Sequence, residues 1–263
     1  MRCRLRVLRR PDRVFVDIDR EASMPRTGSL LSALLALSIL NIALAGVIAV
    51  RYGYGPQSSL EAAGACVVLL IAAGLLWFYR RRASRGAFGP GFQRLLEAGA
   101  LLGLMWVIEI AINNILAPPL PARDIIDNLF WALIALILFG LSIFYAYRAN
   151  SVSRGLQAGI WAGSISGLIA CSAALILVVF GMQLLLNDPL NVAEWSSDRL
   201  VTSAPSMASY FAFETLAGAL SHLVLLGLIM GALLGGIGGG VGKVLHALHP
   251  ARGKDQGELM PWT

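Results

Sequence analysis

Charged side chains are the scarcest feature of this sequence. Only 14% of its 263 residues are Asp, Glu, Lys or Arg, whereas a soluble domain carries about a quarter. Apolar side chains make up 57% of the chain, and the mean hydropathy is +0.72. Because the charge deficit is concentrated in long segments without lysine or arginine, the composition disfavours a soluble domain. It predicts a polytopic membrane protein.

Cysteines and chemical motifs are also few. Cys3 is near the N-terminus, and Cys66 and Cys171 lie inside apolar runs, so they form neither a disulfide framework nor a pair with metal-ligand spacing. The glycine-rich run 235–244 lacks the first glycine and the final Ser or Thr of a phosphate-binding loop. The glutamates show no HExxH or paired-carboxylate spacing. We therefore expect no metal, cofactor or nucleotide site, and we consider an enzyme the less favoured class.

Six apolar runs are long enough to cross a bilayer as helices, the only spanning structure that runs of this length favour. They cover about residues 30–50, 60–79, 95–116, 125–147, 155–186 and 211–245. Proline cannot continue a helix, so Pro118, Pro119 and Pro121 end the third run. The predicted fold class is all-α, with a six-helix membrane domain over residues 30–246. A basic N-terminal tail (1–29), in which Met24 is an alternative start, and a C-terminal tail (247–263) flank this domain.

The distribution of basic residues predicts the orientation. One set of loops and tails carries 18 of the 21 lysines and arginines, and the opposite side carries only Arg51, Arg123 and Arg199. By the positive-inside rule both termini are cytoplasmic. Because the basic residues lie in loops and tails, the net charge of +6 does not indicate nucleic-acid binding. Nineteen of the basic residues are arginine, which we interpret as a GC-rich bacterial genome and hence a bacterial cytoplasmic (inner) membrane.

Two segments allow more than one interpretation. The first apolar run resembles a signal peptide with Ala43-Leu44-Ala45 as a cleavage site, but it continues to Val50 before any charge, which favours an uncleaved anchor. The external segment from Asn187 to Tyr210 is polar and contains prolines. It fits a surface helix, a lid or a simple connector, and the connector is the prediction we favour.

Two glycine ladders dominate the second half of the chain. Each has the pattern GxxxGxxxGxxxG, with glycines at Gly155, Gly159, Gly163 and Gly167 and at Gly227, Gly231, Gly235 and Gly239. Such a pattern removes side chains from one helix face, so that a second backbone can approach closely. We therefore predict that the last two spans pack against each other as an antiparallel pair.

A few polar residues interrupt the apolar runs. Glu109 is the most costly to bury, and Asn113 lies one turn later on the same face, followed by Asn114. His222, in the sixth run, is predicted to face Glu109 at similar depth as its hydrogen-bond partner. Asn41 and five serines in the spans are interpreted as polar contacts that hold helices together: Ser142, Ser164, Ser166, Ser172 and Ser221.

Two functions are compatible with these features. The first is a structural or accessory membrane subunit, in which the ladders and polar residues only hold helices together or recruit a second copy or a membrane partner. The second is a small transporter or channel-like protein with a proton- or ion-binding path at Glu109, Asn113, Asn114 and His222. The two halves of the chain share no motif, and an inverted repeat would have favoured transport. The sequence alone therefore favours the accessory role slightly.

Overall fold

The computed structural model describes residues 18–249, and it gives side chains for residues 27–89 and 91–249. The predicted tails therefore lie outside the described residues, apart from 18–29 and 247–249. The described part is helical and contains no strand. Its elements are α1 (Ile18–Tyr52), α2 (Pro56–Ala83), α3 (Pro90–Ala111), the π-helix π1 (Ile112–Leu116), α4 (Ala122–Ala149), α5 (Val152–Asn187), α6 (Pro189–Asp198), α7 (Met207–Ser221), the π-helix π2 (His222–Met230) and α8 (Gly231–Leu248).

The helix boundaries follow from local chemistry. Pro56, Pro90 and Pro189 occupy the first turn of their helices, where the missing N–H costs nothing. Helix α4 ends at Asn150, which has the left-handed φ of 47° that commonly closes a helix. The Ser206 hydroxyl accepts a 3.1 Å hydrogen bond from the backbone N–H of Ser209 and so caps α7.

Six helical segments are long and apolar enough to cross a membrane, which confirms the predicted all-α class and the number of spans. They cover Thr27–Tyr52, Pro56–Ala83, Gly91–Leu116, Ala122–Ala149, Val152–Asn187 and Met207–Leu248. The last of these combines α7, π2 and α8. Helix α5 has 36 residues and so extends about 54 Å, well beyond a ~30 Å hydrocarbon core.

Helix α5 lies at the centre of the bundle. It packs against α1, α3, α4, α7, π2 and α8. Half of its most apolar window is buried, compared with at most 39% for any other span. The elements that carry the polar residues are therefore arranged around α5.

Several glycines of α5 lie close to the backbone of π2 and α8. A Cβ atom added to Gly155 would fall 2.5 Å from the Cα of Gly239, and one added to Gly159 would fall 2.6 Å from the Cα of Gly235. At the other end of the contact, a Cβ on Gly167 would fall 2.9 Å from the Cα of Leu223. At these positions the neighbouring backbone occupies the space that any side chain would need.

Helix α8 has a second glycine face that we did not predict. A Cβ on Gly238 would fall 2.9 Å from the carbonyl oxygen of Phe139, and one on Gly242 would fall 2.8 Å from the Cβ of Ala146. Both neighbours are in α4. Glycines therefore let α8 approach two helices, α4 and α5, at once.

The segment between α5 and α7 contains a helix, so the favoured prediction of a simple connector is wrong. Asp188 caps α6 by accepting a 3.0 Å hydrogen bond from the N–H of Leu190, and its other carboxylate oxygen lies 2.8 Å from the guanidinium of Arg123. The Tyr210 hydroxyl lies 2.9 Å from carboxylate oxygens of both Glu194 and Asp198. These contacts fix α6 across one end of the bundle, which we call the α6 end.

Most of the polar residues expected to join helices do not do so. The hydroxyls of Ser142, Ser166, Ser172 and Ser221 donate to carbonyls three or four residues earlier in their own helices. Neither side-chain polar atom of Asn41 has a hydrogen-bond partner among the described residues, although the side chain is fully buried. A serine hydroxyl reaches its own preceding turn more readily than a second helix.

Candidate functional site

One cleft near the α6 end brings together most of the predicted polar residues. It has a volume of about 300 Å³ and lies among α3–π1, α4, α5 and α7–π2. The polar side chains that line it are those of Glu109, Asn114, Asp127, Thr215 and His222. Asn113 is not part of the lining but bonds to Glu109.

Glu109 is the buried acid of this cleft. Its side chain is 5% exposed, and the amide of Asn113, one turn later, donates a hydrogen bond to Oε1. The neighbouring Asn114 uses its amide to donate a 2.9 Å hydrogen bond to the carbonyl of Ile110. One Glu109 oxygen is thus held by its own helix, while the carboxyl group still faces the cleft.

Asp127 is the site residue that the sequence analysis missed. Glu109 and Asp127 are neighbours that line the same cleft, and Asp127 is partly exposed. A signal for this contact was present in the sequence. Glu109 lies eight residues before Ala117 and Asp127 six residues after Pro121, so the helical hairpin formed by α3 and α4 places them at similar depth.

His222 lines the same cleft, but the predicted hydrogen bond to Glu109 is not formed among the described side chains. Its Nδ1 lies 2.9 Å from the carbonyl oxygen of Gly218, one turn earlier. Its ring also packs edge-on against Trp106 with centroids 5.0 Å apart. The backbone contact uses one ring nitrogen of His222, and Glu109 accepts a hydrogen bond from Asn113 instead.

Both π-helical segments adjoin this cleft. The first, π1, begins three residues after Glu109, and the second, π2, begins at His222 itself. A π-helix has wider turns than an α-helix and occurs frequently at functional sites. The backbone therefore departs from α-helical geometry close to Glu109 and at His222.

Proton binding is the chemistry that this set of groups favours. No lysine or arginine is among the residues that line the cleft. Two neighbouring carboxylates without a cation are costly to keep ionised together, and a bound proton would lower that cost. Among the side chains that the structure describes, no group of three or more His, Cys, Asp or Glu is arranged to hold a metal ion.

A second cleft, between α2, α5 and π2, has different chemistry. Its volume is about 280 Å³, and its lining is mainly aliphatic and aromatic, with Tyr79 and Trp161 at 4.6 Å between ring centroids. The lining includes no carboxylate, imidazole, lysine or arginine. Its chemistry is therefore mainly that of an apolar surface.

Comparison of the chain with protein-family models, with curated proteins and with solved structures found no match. Function has therefore to be inferred from the chemistry of the cleft and from the packing of the helices around it.

Proposed function

We propose that this chain is a multi-pass protein of the bacterial cytoplasmic membrane that binds a proton at Glu109 and Asp127 and acts as a small proton transporter. The observation that carries the proposal is the pairing of these two carboxyl groups in a cleft that His222 also lines. A carboxyl pair inside a membrane domain is costly, and such residues commonly mark ion and proton paths.

The different solvent exposure of Asp127 and Glu109 supports a route for the proton. Asp127 is partly exposed, whereas Glu109 is 5% exposed, so Asp127 can exchange a proton with water and pass it to Glu109. His222 lies near enough to Asp127 to interact with its charge. An imidazole can both accept and donate a proton through its two ring nitrogens.

The side of the cleft away from the α6 end is closed by packed aromatic rings, which supports a carrier rather than an open pore. Trp106 precedes Glu109 by one turn, on the side away from the α6 end, and is 1% exposed. It packs edge-on against both His222 and Trp131, with ring centroids 5.0 and 5.1 Å apart. Release of a proton to the other side then requires these rings to move.

The glycine ladders and π2 supply an element that can move. We propose that the ladders set the contact of α5 with π2 and α8, and that this smooth backbone contact lets π2 and α8 shift along α5. His222 is the first residue of π2, so such a shift would change the distance between His222 and Glu109. The movement would couple the packing of the last span to the chemistry of the cleft.

The proposed orientation places both termini in the cytoplasm. The concentration of arginines at the end opposite α6, including Arg80, Arg81 and Arg82, supports this direction. In this orientation the cleft opens toward the external side. A proton would then enter down the usual electrochemical gradient of a bacterial membrane.

A second candidate is an accessory subunit, alone or as a homo-oligomer. The Asn113 hydrogen bond to Glu109 favours it, because a protonated glutamic acid that is hydrogen-bonded within its own helix can also serve only to stabilise the fold. In that case the cleft would not transfer protons.

Proton flux in reconstituted liposomes separates the two functions. Liposomes with an internal pH-sensitive dye and an imposed inside-negative potential should acidify faster with the wild-type protein than without protein. Glu109→Gln should abolish the difference, and Glu61→Gln, at a position outside the cleft, should preserve it. Equal rates for wild-type and protein-free liposomes would favour the accessory subunit.

A further inference from the structure

A third cleft lies at the α6 end, on another side of α5. It has a volume of about 350 Å³ and is formed by the end of α1, the last third of α5 and the start of α7. Its lining includes Arg51, Tyr52, Phe180 and Gln183. None of these residues belongs to the cleft of Glu109, so the two sites are separate.

The polar groups of this cleft have unmet hydrogen-bonding capacity. Tyr52 is 7% exposed, and its buried hydroxyl has no hydrogen-bond partner among the described residues. A buried hydroxyl without a partner costs free energy that a bound acceptor would recover. The Gln183 side chain adds an amide that can also donate.

Arg51 gives the cleft a positive charge. Its guanidinium lies 5.2 Å from the centre of the Tyr52 ring, and within the described part of the chain it forms no salt bridge with a carboxylate. A guanidinium presents paired N–H groups that match the oxygens of a phosphate. Arginine and two neutral donors together favour an anionic ligand with several acceptor oxygens.

The backbone of α5 is distorted where it borders this cleft. Gly181 has φ −111° and ψ 16°, outside helical geometry, and it lies between Phe180 and Met182, which both line the cleft. The irregular turn changes the direction in which the following residues point.

We propose that this cleft binds the phosphate group of an anionic membrane phospholipid. Arg51, the Tyr52 hydroxyl and the Gln183 amide hold the phosphate, while the acyl chain lies along the apolar surface of α5. Phe180, which lines the cleft, is 79% exposed and provides that surface. A lipid fits better than a soluble anion, because a soluble anion would leave this large apolar side chain uncovered.

Native mass spectrometry of the purified protein tests the proposal, with phosphatidylglycerol and phosphatidylcholine as probes. We expect one phosphatidylglycerol to remain bound with at least about tenfold preference over phosphatidylcholine. Both lipids carry a phosphate, but the choline cation of phosphatidylcholine offsets its charge and is repelled by Arg51, whereas phosphatidylglycerol keeps a net negative charge. Arg51→Gln should remove the preference. Arg199→Gln, which changes an exposed arginine outside the cleft, should retain it.

Tyr52→Phe is the more specific variant. Because the hydroxyl has no partner within the described protein, its removal should leave the melting temperature without lipid unchanged or raise it. It should still weaken phosphatidylglycerol binding by about tenfold. Unchanged lipid binding in Tyr52→Phe, an equal loss in Arg51→Gln and Arg199→Gln, or complete competition by inorganic phosphate would each overturn the proposal. These outcomes do not depend on proton flux through the other cleft.

Discussion

Glu109, Asp127 and His222 are the three titratable side chains that face one cleft inside the membrane domain. Their chemistry differs from that of an ordinary buried hydrogen-bond network because two of them are acids. Asn113 donates to one oxygen of Glu109, which leaves the other carboxyl oxygen available for a proton shared with Asp127. We therefore expect the ionisation of each acid to depend strongly on the other.

A double-mutant cycle measures that coupling. Glu109→Gln, Asp127→Asn and the combined variant should show a coupling of about 1 kcal/mol or more in the free energy of unfolding, since each single change leaves the partner acid in an altered environment. Glu109→Gln combined with Asp124→Asn is the matched control, because Asp124 is exposed one turn before Asp127. It should be additive within about 0.5 kcal/mol. Equal coupling in the two cycles would contradict a shared proton.

Of the two acids, Glu109 could be predicted from the sequence and Asp127 was not, and the difference has a physical reason. Glu109 lies within a long apolar run, where a carboxyl group stands out by its cost. Asp127 lies five residues into its helix, close to Asp124, and so it resembles an ordinary acidic residue at a membrane border. Its depth in the hairpin of α3 and α4, which is similar to that of Glu109, is the signal that distinguishes it, but the contact itself depends on tertiary packing.

At the scale of elements, the contact of α5 with π2 and α8 depends on backbone proximity. At Gly159 and Gly231 the nearest heavy atoms to an added Cβ are backbone atoms of the facing helix, and backbone cannot move aside as a flexible side chain can. At Gly236, on the same helix as Gly231, an added Cβ would have no neighbour within 4 Å. The same type of substitution should therefore have opposite effects at these positions.

Alanine substitution tests the ladder contact. Gly159→Ala and Gly231→Ala should each destabilise the protein by about 1–3 kcal/mol through overpacking. Gly236→Ala should be neutral or stabilise it by about 0.5–1 kcal/mol, because alanine is the better helix former. Thermal unfolding in detergent provides the comparison. Equal melting temperatures for all three variants would show that the ladders do not determine this contact.

The elements themselves were more predictable than their irregularities. The number of spans followed from apolar length, because a bilayer requires about 20 apolar residues in a helix. The two π-helices were not predicted, and a surface helix at the position of α6 was considered but not favoured, since apolar periodicity does not encode local hydrogen bonding. The capping carboxylate Asp188 and the proline at position 189 were the signals for α6.

At the scale of the whole molecule, the orientation decides which compartment the cleft of Glu109 faces. Reporter fusions after Arg85 and after Ala251 should give a cytoplasmic signal, and a fusion within the α6 segment should give an external one. The expectation rests on the excess of arginine at the end opposite α6. A cytoplasmic signal from the α6 segment would reverse the proposed direction of the cleft.

The central claim is that the pair of Glu109 and Asp127 holds a proton that exchanges with water. Infrared difference spectroscopy of the reconstituted protein, recorded as the external pH is changed, detects this proton through the C=O stretch of a carboxylic acid. We predict a carboxylic acid band that changes with pH, shifts in deuterated water and is lost in both Glu109→Gln and Asp127→Asn, but not in Glu61→Gln. A carboxylic acid band in the wild-type protein that responds neither to pH nor to deuterated water would contradict the claim, because Glu109 would then be a sealed structural acid.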